Sequence, residues 1–378
     1  MKKLLSLALA CTLTLGLASC GGTGTSTSSN APASSSAVES PAAQFDAASY
    51  LSGDYPKLPE DGPAYSLSIG HAMQESTESH KMLLALKDAV EKYSDGKITI
   101  TIYPNSQLGS DSEMIASCVA GDMDMVLQCG STHATFVPET VIFDIPFLFS
   151  GYDSEKIESV LTDSKFRDLY NQANEDGGLV CLMLRAGTDS MNLTSNKPVT
   201  SMEDLKGLKI RTAQVESRMA VWNALGANPT PMAFNELYMA LQKNGTVDAQ
   251  DNNLSNALSS ALYEVQEYLV PTHHMTPSMD LTMNKDKFYS MPQSYQDLLT
   301  AICEDMSAYD YDVCIAMEQY YYDSLVQEHG MQVCEITDEF LTDMQTAAAP
   351  AVESAKAAVG NDALYDTLYQ LLDGGESA

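Results

Sequence analysis

The amino-acid sequence predicts an α/β protein in which two domains share a cleft and a long helix spans both. Strand-like and helix-like segments alternate from Tyr65 onward, which is typical of α/β folds. About 315 residues follow position 62, enough for two domains of ordinary size. A helical stretch with no Pro or Gly runs from 293 to 329, and it is too long for one small domain.

Periodicity places the individual elements. Strands are predicted where apolar residues alternate or cluster in short runs, at residues 65–70, 98–102, 123–128, 208–212 and 247–250. Helices are predicted where apolar residues recur every third or fourth position, at residues 79–93, 110–121, 215–225, 234–243 and 254–263. Ser110 and Glu113 form the capping-box pattern that opens a helix, and Gly121 ends that helix.

Two further segments bear on how the domains connect. The apolar run 141–149 contains Pro146, so we expect it to cross between the domains rather than to form a long helix. The stretch 293–329 follows Pro292 and stops at Gly330; as one helix it would extend about 50 Å. Two helices joined by an unmarked turn are the alternative, and one helix along both domains is the interpretation we favour.

The first twenty residues are typical of an export signal. Lys2 and Lys3 precede an apolar stretch, residues 4–17, which is shorter than the ~20 residues that span a bilayer. The sequence L-A-S-C at 17–20 resembles the lipobox of bacterial lipoproteins. We therefore expect residues 1–19 to be a signal peptide and Cys20 to carry lipid, which holds a protein at a membrane surface without a spanning helix.

Residues 20–62 are rich in Ser, Thr, Ala, Gly and Pro, so we expect the lipidated Cys20 to be followed by a disordered tether. The formal net charge of the whole chain is −31. Such acidity offers no basic face for phosphates and excludes nucleic acid as a partner. An anionic membrane would also repel this body, so the lipid is expected to hold it there.

The sequence gives no sign of an enzyme, a cofactor or a metal site. The cysteines form no C-x-x-C pair and do not lie near His at zinc-finger spacing. The nucleophile elbow, the zinc-protease motif, the P-loop and the dinucleotide turn do not occur. We therefore expect a binding protein, with no cofactor.

Five short motifs carry a resemblance to a known family. They are Y-P-N-S-Q-L-G at 103–109, D-L-K-G-L-K-I-R at 204–211, G-A-N-P-T-P-M at 226–232, E-L-Y-M-A-L-Q at 236–242 and V-D-A-Q-D-N at 247–252. In this order and spacing they resemble the DctP-type solute-binding proteins of TRAP transporters, which are driven by an ion gradient rather than by ATP.

The resemblance implies a two-lobed fold with a ligand in the interlobe cleft and a long helix bracing both lobes. It places residues 63–188 with 278–317 in lobe I, and residues 189–277 with 318–372 in lobe II. It implies an extracytoplasmic binding protein that passes a small organic acid to membrane permease subunits. Together with the lipobox-like segment, we expect a lipid-anchored monomer. A binding protein of a sensor system, or of an ATP-driven importer, is the alternative.

Arg211 is the residue on which an acid-binding site would depend. Its guanidinium offers a planar fork of donors for a carboxylate, and it closes a predicted strand, where ligands of α/β folds bind. The chain has four arginines, the others being Arg167, Arg185 and Arg218. A structural ion pair between the lobes is the alternative for Arg211.

The resemblance adds further site residues. Asn252 would hydrogen-bond the ligand from the opposite wall, and Phe234 would pack on the apolar part of the ligand. Asp111, Gln214 and His274 match polar contacts of the sialic-acid-binding member; alternatively, Asp111 only opens a helix and His274 is a core histidine.

The chain also departs from the family pattern. Met191 stands where many relatives place a second arginine, and Cys129 and Thr132 replace an acidic and a basic ligand contact of the sialic-acid binder. We therefore expect a less cationic cleft that holds a monocarboxylate or a smaller, more apolar acid rather than sialic acid. Arg185 could swing in to supply the missing charge.

Replacing Cys20 by Ala is expected to release the protein from the membrane fraction, because the acyl chains can no longer be attached. Fractionation and immunoblotting of cells that express Cys20→Ala measure this. Cys11→Ala, a change within the apolar stretch, is the matched control and should remain with the membrane. Membrane retention of the Cys20 variant would count against lipidation.

Overall fold

The computed structural model describes residues 40–188, 190–242 and 245–374. Its core contains two β-sheets whose strands come from different parts of the chain. The first sheet has the order β2-β1-β3-β10-β4, with β1 Tyr65–Gly70, β2 Ile98–Tyr103, β3 Met125–Cys129, β4 Leu179–Arg185 and β10 Met279–Asn284. Strands β1, β2 and β3 run parallel, whereas β10 is antiparallel to both of its neighbours.

The second sheet has the order β11-β9-β5-β8-β6-β7. Its strands are β5 Met191–Ser195, β6 Lys209–Thr212, β7 Asn228–Pro231, β8 Ala249–Asn252, β9 Tyr268–Met275 and β11 Gln332–Val333. The chain passes from the first sheet to the second after β4, returns after β9, and crosses again after β10 to form the edge strand β11. Mixed strand directions and three crossings of this kind give two lobes that face each other.

Helices cover both sheets. They are α1 Glu78–Tyr93, α2 Asp111–Ala120, α3 Ser154–Leu161, α4 Ser164–Asp176, α5 Met202–Leu205, α6 Glu216–Ala224, α7 Leu237–Leu241, α8 Leu254–Ser259, α9 Lys285–Ser290, α10 Gln293–Asp323, α11 Asp338–Val359 and α12 Asp362–Leu372. None of the helices within the described ranges is long and apolar enough to cross a membrane.

The long C-terminal stretch is one helix, so the two-helix alternative is wrong. Helix α10 has 31 residues and continues into a π-helical turn at Ser324–Glu328. It packs against α1 and β4 of the first lobe and against α8 of the second. Gly330 has a positive φ of 76°, a conformation that glycine adopts at helix C-termini without strain.

Local signals in the sequence account for several element ends. Ser110 and Glu113 form both hydrogen bonds of the capping box at the start of α2, and Gly121 ends that helix with a φ of 83°. Strand β7 was not predicted because prolines occupy two of its four positions. They are tolerated because β7 is the edge strand of its sheet.

The apolar run 141–149 lies between the lobes, as its proline suggested. Residues Pro138–Asp144 form a 3₁₀-helix that packs against α6 and α11. The backbone N–H of Phe147 donates to the carbonyl of His274 at 2.9 Å. This segment of the first lobe is therefore fixed to strand β9 of the second.

Residues 40–62 form a strap along α10, so the expected disordered tether does not extend over them. The Tyr50 hydroxyl donates to Asp312 at 2.7 Å, and the backbone N–H of Ser52 donates to Asp305 at 2.8 Å. Tyr55 donates to the same Asp305. Aromatic residues within an otherwise small and polar segment thus supply enough buried surface for the strap to order. Residues 1–39, with Cys20, lie outside the described residues.

The last helix does not follow the expected lobe boundaries. Helix α12 packs against α3 and α4 of the first lobe, where Leu364 and Leu368 share a core with Phe166 and Tyr170. The assignment of residues 318–372 to lobe II therefore does not hold for α12. Helix α11 packs against α5 and α6 and also against the 3₁₀-helix Pro138–Asp144 of the first lobe, so it contacts both lobes.

Replacing Tyr50 and Tyr55 by Ala is expected to lower the free energy of unfolding by about 2 kcal/mol. The double variant loses two edge-to-face ring pairs, Tyr50 with Tyr309 and Tyr55 with Tyr93, each worth about 0.5–1.5 kcal/mol. Urea unfolding measures the change. Met239→Ala, at a position that is 67% exposed, is the control. A double variant as stable as the wild type would show that the strap does not brace α10.

Candidate functional site

A cavity of about 90 Å³ lies between the lobes. From the first lobe it is lined by Ala72, Met73, Asp111, Leu127, Gln128, Cys129, Thr132 and Met279; from the second, by Met191, Arg211, Ala213, Arg218, Phe234, Asp251, Asn252 and Asn256. Several of these residues lie at or just beyond the carboxyl ends of β1, β3, β6 and β8, where α/β folds bind ligands. The cavity therefore contains most of the residues expected to form the site.

Arg211 is held rigidly in this cavity. Its Nε and Nη2 both donate to the carbonyl of Met232, at 3.0 and 2.7 Å, and its guanidinium carbon lies 5.8 Å from the ring centre of Phe234. This uses one edge of the guanidinium and leaves the end-on edge, with Nη1, for another partner. Burial lowers the pKa of Arg211 to about 10, with Asp251 and Asp111 opposing the fall, so it stays charged at neutral pH.

Arg218 is a second guanidinium in the cavity, and the sequence argument did not place it there. It lies in the first turn of α6 and is 4% exposed. Its Nη2 lies 3.0 Å from Cys129 Sγ and 3.6 Å from Asp144 Oδ1. Burial acts to lower the pKa of Arg218, but Cys129, Asp144 and Asp251 outweigh it and raise that pKa.

One feature of the sequence could have indicated Arg218 as a site residue, namely its short distance along the chain from Arg211. Arg218 follows Arg211 by seven residues, across the turn from β6 to α6. The side chains that meet it are distant in sequence, so periodicity alone does not reveal the cluster. Arg218, on α6, thus supplies the cavity with the positive charge that was expected to be missing at Met191.

Arg185, the expected replacement, is engaged elsewhere. Its Nε donates to Asp310 at 2.6 Å and its Nη1 to Thr188 at 2.6 Å. Both members of the Arg185–Asp310 ion pair are buried, and Arg185 does not line the cavity. Swinging into the cleft would leave the Asp310 carboxylate buried without its ion pair, which opposes such a movement.

Asp251 is the buried carboxylate behind the two arginines. The Trp222 indole donates to its Oδ2 at 3.1 Å, and His274 Nε2 lies 3.5 Å from the same oxygen. Burial acts to raise the pKa of Asp251, but the contact with His274 and the charge of Arg218 outweigh it and hold that pKa below its usual value. Asp251 therefore stays ionised.

His274 supports the site without lining it. Its ring is fully buried, packs edge-on against Trp222 at 4.9 Å and bonds Thr272 at 2.8 Å. The structure thus favours the core-histidine alternative over a ligand contact. Gln214 also lies outside the cavity, on the exposed surface just before α6.

Asp111 and Asn252 complete the polar lining. Asp111 is the first residue of α2. Burial raises its pKa, against the opposing charges of Arg211 and Arg218. The amide oxygen of Asn252 accepts from Asn256 Nδ2 at 3.0 Å and from the Asn253 N–H at 3.1 Å. With that oxygen occupied, the amide NH₂ of Asn252 is the group that can donate to a ligand.

Four predicted residues form the remaining wall. Phe234 and Met191 supply apolar surface, Cys129 is the last residue of β3, and Thr132 follows that strand. Burial raises the pKa of the Cys129 thiol, although the charge of Arg218 opposes the rise. Within the described ranges, His, Cys, Asp and Glu side chains form no group of three or more that could hold a metal ion.

A larger groove elsewhere is a weaker candidate. It measures about 580 Å³ and lies along α3, α4 and α10, with Arg167 and Tyr311 among its lining residues. It belongs to one lobe and is lined by none of the residues that were predicted to contact the ligand. The interlobe cavity is therefore the candidate site.

Two facing lobes that enclose a charged, rigidly held cavity are the architecture of a solute-binding protein. The chain matches the DctP family, bacterial extracellular solute-binding protein, family 7, over residues 69–358. It belongs to this family, which confirms the expectation drawn from its motifs.

Related proteins agree with this assignment. The 2,3-diketo-L-gulonate-binding periplasmic protein YiaO of Escherichia coli is 30% identical over 275 residues, which is 73% of this chain and 82% of that protein. The C4-dicarboxylate-binding periplasmic protein DctP of Rhodobacter capsulatus is 30% identical over 258 residues, 67% of this chain and 74% of that protein.

Solved structures share the fold. The galactonate complex of the sugar acid binding protein of Advenella mimigardefordensis has a TM-score of 0.75 and 28% identity, and the match covers 82% of this chain and 100% of that one. A TRAP periplasmic solute-binding protein of a Polaromonas species, bound to D-erythronate, has a TM-score of 0.74 and 28% identity, with 83% and 100% covered. The two-lobed fold and the function of a TRAP-type solute-binding protein are thereby confirmed.

Replacing Arg185 by Met is expected to lower stability by about 3–5 kcal/mol, because it leaves Asp310 buried without its ion-pair partner. Acid binding should stay within about twofold of wild type, since Arg185 does not line the cavity. Chemical unfolding and calorimetric titration measure the two effects. The double variant Arg185→Met/Asp310→Leu should recover most of the stability, and an intact melting curve with lost binding would instead place Arg185 in the site.

Proposed function

We propose that the protein captures a short hydroxylated monocarboxylate, of the sugar-acid class, in the interlobe cavity. One observation carries this proposal. The Met232 carbonyl fixes one edge of the buried Arg211 guanidinium, so the other edge is preorganised to receive both oxygens of a carboxylate. The donor amide of Asn252 and the ring of Phe234 lie in the same cavity.

The charges of the cavity favour hydroxyl groups on the rest of the ligand. Asp111 and Asp251 line the cavity together with the two arginines, so positive charge is not in excess. Carboxylates accept hydrogen bonds from hydroxyls but repel a second carboxylate. Galactonate and D-erythronate, the ligands of two relatives, combine one carboxylate with several hydroxyls. A volume of about 90 Å³ favours the shorter acid.

A dicarboxylate is the second candidate, because the Rhodobacter capsulatus relative is named for binding C4-dicarboxylates. Sequence identity does not separate the two classes, since both kinds of relative are about 30% identical. The balance of charge in the cavity favours the hydroxylated monocarboxylate.

The proposed path of the ligand ends at the membrane. The protein releases the acid to TRAP-type permease subunits and acts as a carrier with no reaction of its own, as a monomer. A signal peptide at residues 1–19 and a lipid on Cys20 hold it on the extracytoplasmic face. Lobe I comprises residues 63–188 and 278–317 with α12, and lobe II comprises residues 189–277 with 318–359.

A thermal-shift panel tests the substrate class. D-Erythronate and D-galactonate should stabilise the protein, because a ligand at 100 times its Kd adds about 2.7 kcal/mol to folding, whereas succinate and neutral sugars should shift it little. Arg211→Ala should abolish the shift and leave the melting temperature of the ligand-free protein within a few degrees.

Gln214→Ala is the matched control, since Gln214 lies outside the cavity; it should bind as wild type does. Arg211→Lys should bind weakly, because an ammonium cannot reproduce the fork. Stabilisation by sugars or amines alone, or full binding by Arg211→Ala, would overturn the carboxylate proposal.

A further inference from the structure

We propose that Arg218 is a second ligand-binding guanidinium. It donates a hydrogen bond to a neutral oxygen of the bound acid and so favours hydroxylated monocarboxylates over dicarboxylates. It takes over, from helix α6, the place of the arginine that was expected at Met191. The inference rests on the proposed function, since it concerns how the same cavity reads the rest of the ligand.

Arg218 has few good hydrogen-bond acceptors for a buried guanidinium. Its Nη2 faces Cys129 Sγ at 3.0 Å and Ser131 Oγ at 3.4 Å, and its Nη1 faces Met191 Sδ at 4.0 Å. Sulfur is a weak acceptor. Its Nε is buried and has no hydrogen-bond partner among the described residues. Buried donors of this kind are costly unless an oxygen completes them, and a ligand in the cavity can supply that oxygen.

The two arginines differ in the charge that surrounds them. The nearest carboxylate to Arg218 is Asp144, with Oδ1 3.6 Å from Nη2, which neutralises the charge from beyond hydrogen-bond distance. Asp144 is fully buried, and its Oδ2 accepts from Ser217 at 2.6 Å. A ligand carboxylate at Arg218 would be brought close to Asp144, whereas a hydroxyl or keto oxygen would not be repelled.

Arg211 has the opposite arrangement. Its hydrogen bonds within the protein go to a neutral carbonyl. Asp251 and Asp111, whose charges act on Arg211, form no ion pair with it among the described residues. Its charge is therefore available to the ligand carboxylate. One guanidinium is matched to the anionic end of the acid and the other to an oxygen along its chain.

Cys129 provides an independent readout of this assignment. It contacts Arg218 and lines the cavity, and it is partly exposed, whereas the other described cysteines are buried. A ligand oxygen that reaches Arg218 must cover the thiol. Occupancy of this part of the cavity can thus be followed by alkylation at one residue.

Calorimetry with D-erythronate, D-galactonate, succinate and the three dihydroxybutyrates that each lack one hydroxyl of erythronate tests the proposal. Arg218→Met/Asp144→Asn, which leaves no unpaired charge, should weaken erythronate binding about 10- to 100-fold. One of the three dihydroxybutyrates lacks the oxygen to which Arg218 donates. For this acid the same variant should change the affinity less than about threefold. Asp144→Asn alone, which keeps Ser217 as a partner, should improve succinate binding about tenfold relative to erythronate.

Iodoacetamide labelling of Cys129, mapped by peptide mass spectrometry, should slow at least about tenfold when erythronate or galactonate saturates the wild-type protein. If the acids bind and require Arg211, but the Arg218 variant weakens all the dihydroxybutyrates equally or none, the proposed function stands and this inference fails. Undiminished labelling at saturation also overturns it. If neither acid binds the wild type, the proposed function fails first.

Discussion

Burying two guanidinium groups in one small cavity is the constraint that organises this molecule. Removing a charge from water costs several kcal/mol unless partners replace the lost hydration. The chain supplies those partners from every side: the Met232 carbonyl for Arg211, the Asp144 carboxylate for Arg218, and Asp251 between them and the core. Asp251 in turn depends on Trp222, so the aromatic core of the second lobe and the site form one assembly.

The cavity is complete only when the lobes meet. Asp111 and Cys129 come from the first lobe, whereas Arg211 and Arg218 come from the second. The contact between Arg218 and Cys129, 89 residues apart in sequence, therefore joins the lobes directly. A ligand that bridges the same walls adds to this contact, which favours the closed arrangement by the difference in its affinity for the two states. Helix α10 packs on both lobes.

Much of this arrangement could be predicted, because local chemistry determines it. The alternation of apolar residues predicts the first strands, and Ser110, Glu113 and Gly121 predict the two ends of α2. What could not be predicted depends on neighbours distant in sequence. Arg218 has no unusual pattern around it and becomes a site residue through Cys129 and Asp144. His274 and Gln214 occupy positions matched to the family, yet one faces the core and the other faces solvent. Strand β7 could not be predicted because it contains two prolines, which a β-sheet tolerates in an edge strand.

The strap along α10 also shortens the free part of the chain between the proposed anchor and the folded body. With Cys20 as the proposed anchor, a chain that was free to residue 62 could span about 145 Å at roughly 3.4 Å per residue, but attachment at Ser40 limits the span to about 70 Å. Ser40 itself contacts Met317, towards the C-terminal end of α10. Since effective concentration falls roughly as the −3/2 power of tether length, shortening the proposed tether from about 42 to about 20 residues would raise it about threefold at a membrane partner. The contacts of Tyr50 and Tyr55 with α10 would thereby help to set how often the proposed anchored protein meets a membrane partner.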